Sequence, residues 1–143
     1  MMKNILEEIV RRKKEIVAEE KRRQPLLQLK ADIRPGGFRM ARRLRPQPWS
    51  LIAECKLQSP AKGRLCTRHT VTELAKIYEA NGASVLSVHT DPHFLGKNED
   101  IAAVRAAVDL PILRKDFIID PYQIYQARAL GADAVLLIAR ILE

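Results

Sequence analysis

Ser50-Leu51-Ile52-Ala53-Glu54-Cys55-Lys56-Leu57-Gln58-Ser59-Pro60-Ala61-Lys62-Gly63 is the stretch on which the fold turns. A short apolar run carries an acid and a base two residues apart and then breaks into a Ser-Pro turn. On a strand, residues i and i+2 point to one face. Glu54 and Lys56 therefore share a face at the strand's end, and Cys55 points the other way as a small buried packing residue. A dinucleotide-type sheet needs a Gly-rich turn after its first strand, and Ser59–Gly63 holds a single glycine. Burying both charges costs several kcal/mol unless they pair or meet a charged ligand. The pair is thus a candidate site, although an ordinary Glu–Lys contact at a strand end has the same spacing.

Downstream, strand and helix patterns alternate. Thr70-Val71-Thr72-Glu73 has the form of a capping box, and the helix behind it carries Leu74, Ile77 and Tyr78 before stopping at Asn81-Gly82. Ser84–His89 reads as the second strand and Asp91–Asn98 as a loop. Glu99–Ala107 reads as a helix with Ile101 and Val104 inward. Pro111–Arg114 is the core of a third strand. Asp120-Pro121 opens a helix that ends at Gly131, and Asp133–Ile138 is a nearly all-apolar fourth strand. Near-continuous apolar strands separated by helices predict an α/β protein with parallel strands covered on both faces. Charges at the ends of the first and third strands favour a (β/α)8 TIM-barrel type over a doubly wound sheet, because barrel sites sit at that rim.

The 143 residues suffice for one ordinary domain, and the 47% apolar content is that of a globular protein. No apolar run approaches the ~20 residues of a membrane span, and the N-terminus lacks a signal-peptide core. A cytoplasmic protein without membrane contact is expected. Cys55 and Cys66 make neither a disulfide framework nor a CxxC metal site. The net charge of +8 lies wholly in residues 1–48, which hold 14 Lys/Arg against 6 Asp/Glu, while residues 49–143 balance at 11 of each. Two units are read: a basic N-terminal helical extension over 1–48, and the strand–helix part over 49–143. Within the extension, residues 3–23 read as an amphipathic helix carrying Leu6, Ile9, Val10, Ile16 and Val17, ended by Pro25. Residues 24–48, rich in Pro and Gly, read as a linker or short helical lead-in. The basic residues of 11–23 alternate with Glu15, Glu19 and Glu20 and accompany no nucleic-acid motif. They are read as a solvated helix face, with no nucleic acid expected, and their field can steer an anionic substrate.

The third strand runs on through Leu113-Arg114-Lys115-Asp116-Phe117-Ile118-Ile119-Asp120-Pro121. Lys115 alternates with Leu113 and Phe117, so one face presents an amine among apolar groups, a setting in which an amine can exchange a proton near neutral pH. Four blocks then occur in order: Ile-Ala-Glu-Cys-Lys-x-x-Ser-Pro-x-Lys-Gly; Val-x-Thr-Asp with Phe94 and Gly96; Leu-Arg-Lys-Asp-Phe-Ile-Ile-Asp-Pro-Tyr-Gln-Ile; and Gly-Ala-Asp-Ala-Val-Leu-Leu-Ile. Together they resemble the indole-3-glycerol-phosphate synthase family of tryptophan biosynthesis, over essentially the whole chain.

That resemblance implies decarboxylative ring closure of the anionic small molecule 1-(2-carboxyphenylamino)-1-deoxyribulose 5-phosphate, a lyase reaction releasing CO2 and water with no metal or organic cofactor. It implies that Lys115 is the general acid that protonates the ribulose oxygen. It makes Lys56 the partner of the substrate phosphate and acidic network, and Glu54 the carboxylate beside the anilino group. Ser59 and Pro60 become first-loop residues near the aromatic acid, and Phe94, Phe117 and Leu136 the slot for the benzene ring. The residue types suit that chemistry: a proton donor, cations for an anion, and an apolar slot. Leu57-Gln58, His89 and Gly96-Lys97-Asn98 depart from the family pattern. His89 and His93 are read as strand-end and loop residues without a catalytic role.

A whole barrel needs eight strands and about 250 residues, and four strands are legible before Glu143. The expectation is an N-terminal half-barrel lacking the family's second glutamate, its asparagine and its Ser/Gly phosphate cup, with impaired synthase activity. Open edges on the first and fourth strands predict a homo-oligomer or aggregation. Two alternatives compete: a non-catalytic half-barrel interaction module that uses the basic helix, and another phosphosugar barrel enzyme, such as an isomerase.

Overall fold

The structure is a computed structural model that describes residues 5–44 and 48–142, with Asp32 described by its backbone alone. Lys3 and Asn4, at the start of the expected first helix, and Arg45 and Pro46 of the linker lie outside the described residues.

Helix α1 (Ile5–Arg23) buries Ile9, Lys13 and Val17, a single stripe at four-residue spacing. Pro25 ends it and precedes α2 (Leu26–Asp32); a short α3 (Arg39–Leu44) follows. Tyr122 donates its hydroxyl to the carbonyls of Glu20 and Gln24, at 3.1 and 3.0 Å, satisfying the open end of α1. The expected solvated face is largely real. Arg11 and Arg12 pair with Glu15, and Arg22 and Arg23 with Glu19, all within the helix. Lys13 is the correction, being 3% exposed.

After β1 (Ile52–Cys55) the chain makes a small antiparallel hairpin, β2 (Gln58–Ser59) and β3 (Gly63–Arg64), where the sequence suggested only loop. Then follow α4 (Val71–Ala80), β4 (Val85–His89), α5 (Glu99–Ala107), β5 (Ile112–Lys115), α6 (Pro121–Leu130) and β6 (Ala134–Val135). Strands β1, β4, β5 and β6 form one parallel sheet in that order. This is an α/β architecture consistent with part of a TIM barrel, and the described strands do not close on themselves. No described helix is long and apolar enough to cross a membrane.

Local chemistry sets the boundaries. Thr70 and Glu73 exchange both bonds of a capping box at the start of α4. Asp120 and Gln123 do the same for α6, which stops at Gly131, whose φ of +100° favours glycine. The fourth strand is shorter than its apolar run. Leu136 N still donates to Arg114 O, but β5 ends one residue later, and the chain turns into a 3-10 segment at Ala139–Ile141. Apolar content alone does not keep a strand extended once its ladder partner is gone.

The core fills the space between one sheet face and helices α4–α6. It is built from Cys55, Leu86, Val88, Ile101, Val104 and Ile112. Burial, with Glu54 adding to it, pushes the Cys55 thiol up to about 12, as befits an inert packing group. Leu74 and Tyr78 pack at the core's margin, whereas Ile77 is exposed.

Candidate active site

The register decides which side chains meet. Glu54 is level with Ser87, His89 with Lys115, and Leu113 with Ala134. With period-two alternation, Glu54, Lys56, Ser87, His89, Leu113, Lys115 and Leu136 fall on the face opposite the helix-covered core. Its charged members stand where the strands end, at the carboxyl rim.

Glu54 is the hub. Its Oε1 lies 3.4 Å from Lys56 Nζ and 3.1 Å from His89 Nε2, and its Oε2 accepts a long 3.4 Å bond from the Ser87 hydroxyl. The His89 approach is close but poorly aligned, so Nε2 is buried without a formed hydrogen bond. Burial pushes the Glu54 carboxyl up, but His89, Lys56 and Lys115 outweigh it and hold the group below its usual value. Burial drives His89 down; Glu54 opposes this, while Lys115 and Lys56 add to it. Lys56 and Lys115 therefore both bias the same two side chains, Lys56 in contact with Glu54 and Lys115 from its place level with His89 on the same face.

Aromatic rings close one side. Phe94 stacks on His89 with centroids 4.6 Å apart, and Phe117 lies 6.3 Å from Phe94. Lys56 Nζ sits 5.3 Å over the Phe94 ring. Phe94 is placed by the 3-10 turn Pro92–Phe94, capped by Asp91. Gly96 lets that loop lie on the strand: a Cβ there would stand 2.4 Å from His89 O.

Glu54, Lys56, Lys115, Phe94 and Phe117 are thus gathered, and Leu136 lies on the same face, partly buried. Ser59 is otherwise engaged. Its hydroxyl accepts from Lys62 N at 3.1 Å and closes the hairpin turn, with Pro60 exposed beside it. Gln58 Nε2, donating to His93 O at 3.3 Å, ties that hairpin to the loop after β4. His89 is the residue that sequence reasoning set aside; the alternation from Ser87 was the signal that puts it on this face. His93 pairs instead with Asp91, at 2.7 Å. Among the described residues, no group of three or more His, Cys, Asp or Glu side chains could hold a metal ion.

A parallel β/α sheet in sequential strand order, with charged and aromatic groups collected at its carboxyl rim, is consistent with part of a barrel-type α/β fold. The comparison with known proteins narrows this. The family model for indole-3-glycerol phosphate synthase matches residues 6–143. A curated indole-3-glycerol phosphate synthase from Burkholderia multivorans is 46% identical over 149 aligned positions, covering 99% of this chain and 57% of the relative. The chain belongs to the indole-3-glycerol phosphate synthase family, whose members are decarboxylating lyases of tryptophan biosynthesis. It spans little more than half the length of that relative.

Proposed function

We propose that this chain forms the first part of an indole-3-glycerol phosphate synthase site and binds 1-(2-carboxyphenylamino)-1-deoxyribulose 5-phosphate. The carrying observation is the carboxylate of Glu54 in contact with Lys56 and His89, with Lys115 level with His89 on the same sheet face, beside the Phe94–Phe117 pair. In this reading Lys115 protonates the ribulose carbonyl oxygen as the ring carbon bearing the carboxylate attacks. A carbon–carbon bond forms and the carbonyl oxygen becomes a hydroxyl; CO2 leaves, its bonding electrons restoring the aromatic ring. The hydroxyl then takes a second proton and departs as water while the carbon between it and the nitrogen gives up a proton, which forms the new ring's double bond. Glu54 takes the position beside the anilino nitrogen and Lys56 pairs with the phosphate. Phe94, Phe117 and Leu136 hold the benzene ring, with Ser59 and Pro60 bordering it from the hairpin. Pairing of the α1 arginines within their own helix supports this reading over a nucleic-acid arm.

In this reading residues 5–142 taken by themselves turn over weakly, because catalytic groups that act as a unit fail together. Taken by themselves, these residues also self-associate in this reading through β1 and β6, the outer strands of the described sheet, near which Leu51, Ile52 and Leu137 are exposed. A fluorescence titration with the substrate tests the binding claim. Saturable binding weakened by about tenfold or more in Lys56→Met and in Lys115→Met is expected; equal affinity in all three proteins refutes it. A monomer in sedimentation at high concentration refutes the association.

A further inference from the structure

The buried lysine of α1 belongs neither to the apolar core nor to the charged set around Glu54. Lys13 Nζ lies 2.8 Å from Asp91 Oδ2 and 2.7 Å from Asp116 Oδ1, and both carboxylates are as buried as the lysine. These two acids follow the carboxyl ends of neighbouring strands, Asp91 two residues after His89 of β4 and Asp116 directly after Lys115 of β5.

Each acid fixes the backbone from which an aromatic ring extends. Asp91 Oδ1 accepts from His93 N at 2.9 Å and so caps the turn that presents Phe94. Asp116 Oδ1 accepts from Phe117 N at 2.7 Å, while Oδ2 accepts from the Thr90 hydroxyl at 2.6 Å and from Arg114 at 2.9 Å. Two carboxylates sharing one buried place repel each other unless a cation lies between them. Lys13 is that cation, and it comes from a helix about eighty residues earlier in the chain.

We propose that Lys13 is a positioning residue: its ammonium joins the loops after β4 and β5 and so sets the spacing of Phe94 and Phe117, making α1 part of the site's frame. The consequence for ligand binding rests on the function proposed above; the consequence for the rings does not.

Side-chain NOEs, measured on the whole chain with labelled Phe and His rings and labelled Ile and Val methyls, test the geometric part. Lys13→Met is expected to lose the His89–Phe94 and Phe94–Phe117 cross-peaks while those among Ile101, Val104 and Ile112 persist. Val17→Ala is the control. Val17 is buried on the same stripe of α1 but packs with Leu29 and Tyr122, so this variant loosens the helix without touching the ammonium. It is expected to keep the ring cross-peaks. Ring contacts that survive Lys13→Met, or that vanish equally in Val17→Ala, overturn the proposal. Should Lys13→Met fail to fold, Asp91→Asn carries the test, since it keeps the shape and the Oδ1 acceptor while discharging the pair; unchanged ring contacts there overturn it too.

Binding of 2-aminobenzoate, the carboxyphenylamino portion of the proposed substrate, tests the functional part. A loss of about tenfold in Lys13→Met with none in Val17→Ala is expected. Lost ring contacts with unchanged affinity overturn the positioning role. Absence of binding by the wild-type chain overturns the proposed function instead, and the NOEs still decide the role of Lys13.

Discussion

Arg114→Lys is the substitution whose cost can be worked most directly from the structure. Arg114 is 2% exposed and points to the helix-covered side of β5, opposite Lys115. Its five N–H groups meet five acceptors. Nε donates to Thr90 Oγ1 at 3.0 Å; Nη1 donates to Gln123 O at 3.2 Å and Gln126 Oε1 at 2.8 Å; Nη2 donates to Asn98 Oδ1 at 3.0 Å and Asp116 Oδ2 at 2.9 Å. One guanidinium thereby joins the loop after β4, the start of α5, and α6. A lysine keeps the charge but has three donors and no fork. At least two of the five acceptors then lose the arginine's bond, and Asn98 Oδ1 and Gln126 Oε1 accept from no other group among the described residues. At about 1–3 kcal/mol for each buried unsatisfied group, the loss is about 2–6 kcal/mol, a large part of the ~5–15 kcal/mol that holds a typical domain together. Arg114→Met also removes the charge beside Asp116, and breaking such a buried pair costs about 3–5 kcal/mol.

Urea unfolding followed by far-ultraviolet circular dichroism is the assay. Tryptophan fluorescence serves poorly, since Trp49 is 75% exposed. The expected result is a lower midpoint at unchanged slope for Arg114→Lys, and a midpoint no higher for Arg114→Met. A cost below about 0.5 kcal/mol for Arg114→Lys, the level of an ordinary surface change, would refute the reasoning.

Gly96→Ala places a methyl 2.4 Å from His89 O, against backbone that cannot give way cheaply; a loss of about 1–3 kcal/mol is expected by thermal unfolding, with the His89–Phe94 stack disturbed. Burial holds the His89 pKa below its ordinary value, so between that value and about 6.5 the unfolded chain binds more protons than the native one. Its stabilising contribution is then fully present above about pH 6.5 and is lost as the pH falls through that window. His89→Leu should flatten the stability profile there, and equal slopes for the two proteins would contradict it. Burial pushes Asp116 up, but Lys13 and Arg114 outweigh it and hold the carboxyl below its ordinary value. Its contribution is present above about pH 4 and is lost as the pH falls through the lower native value. Asp116→Asn should therefore remove part of the acid-unfolding limb seen in urea midpoints between neutral and acid pH.

Period-two alternation was the legible part of the site. It set Glu54 with Lys56 and against Cys55, and it set Lys115 with Phe117. The same rule assigns Arg114 and Asp116 to the covered face, where two charges need partners, and that inference was open to the sequence. Their partner was harder to find. Lys13 interrupts an apolar stripe between Ile9 and Val17, which marks it as unusual, but nothing local says which carboxylates lie a hundred residues away. The capping boxes at Thr70 and Asp120 were readable because cap chemistry is local. The hairpin at Gln58–Arg64 and the early end of the fourth strand were not, because both depend on a ladder partner rather than on composition.

The two faces of the sheet treat charge differently, and the difference argues for chemistry on one of them. On the covered side, charged contacts run from 2.6 to 3.0 Å between Lys13, Asp91, Thr90, Arg114 and Asp116, and every donor of Arg114 is engaged, while Lys13 meets Asp91 Oδ2 as a close ion pair without an aligned hydrogen bond. Such closure is what a buried charge needs to exist at all. On the other side Glu54 and Lys56 are about one-third exposed, their contact is 3.4 Å, the Ser87 bond is 3.4 Å, and His89 Nε2 is misaligned. Those contacts are too long to be the reason that four polar groups stand together, since surface pairs of that kind contribute little to stability. Groups assembled at the strand ends with bonding capacity to spare are suited to an external anion, whose arrival would supply the short contacts they lack. The closely paired network holds the loops, the open one is the part that meets the ligand in the function proposed above, and Asp116 and Lys115 show how one residue step along a strand moves a charge from one face to the other.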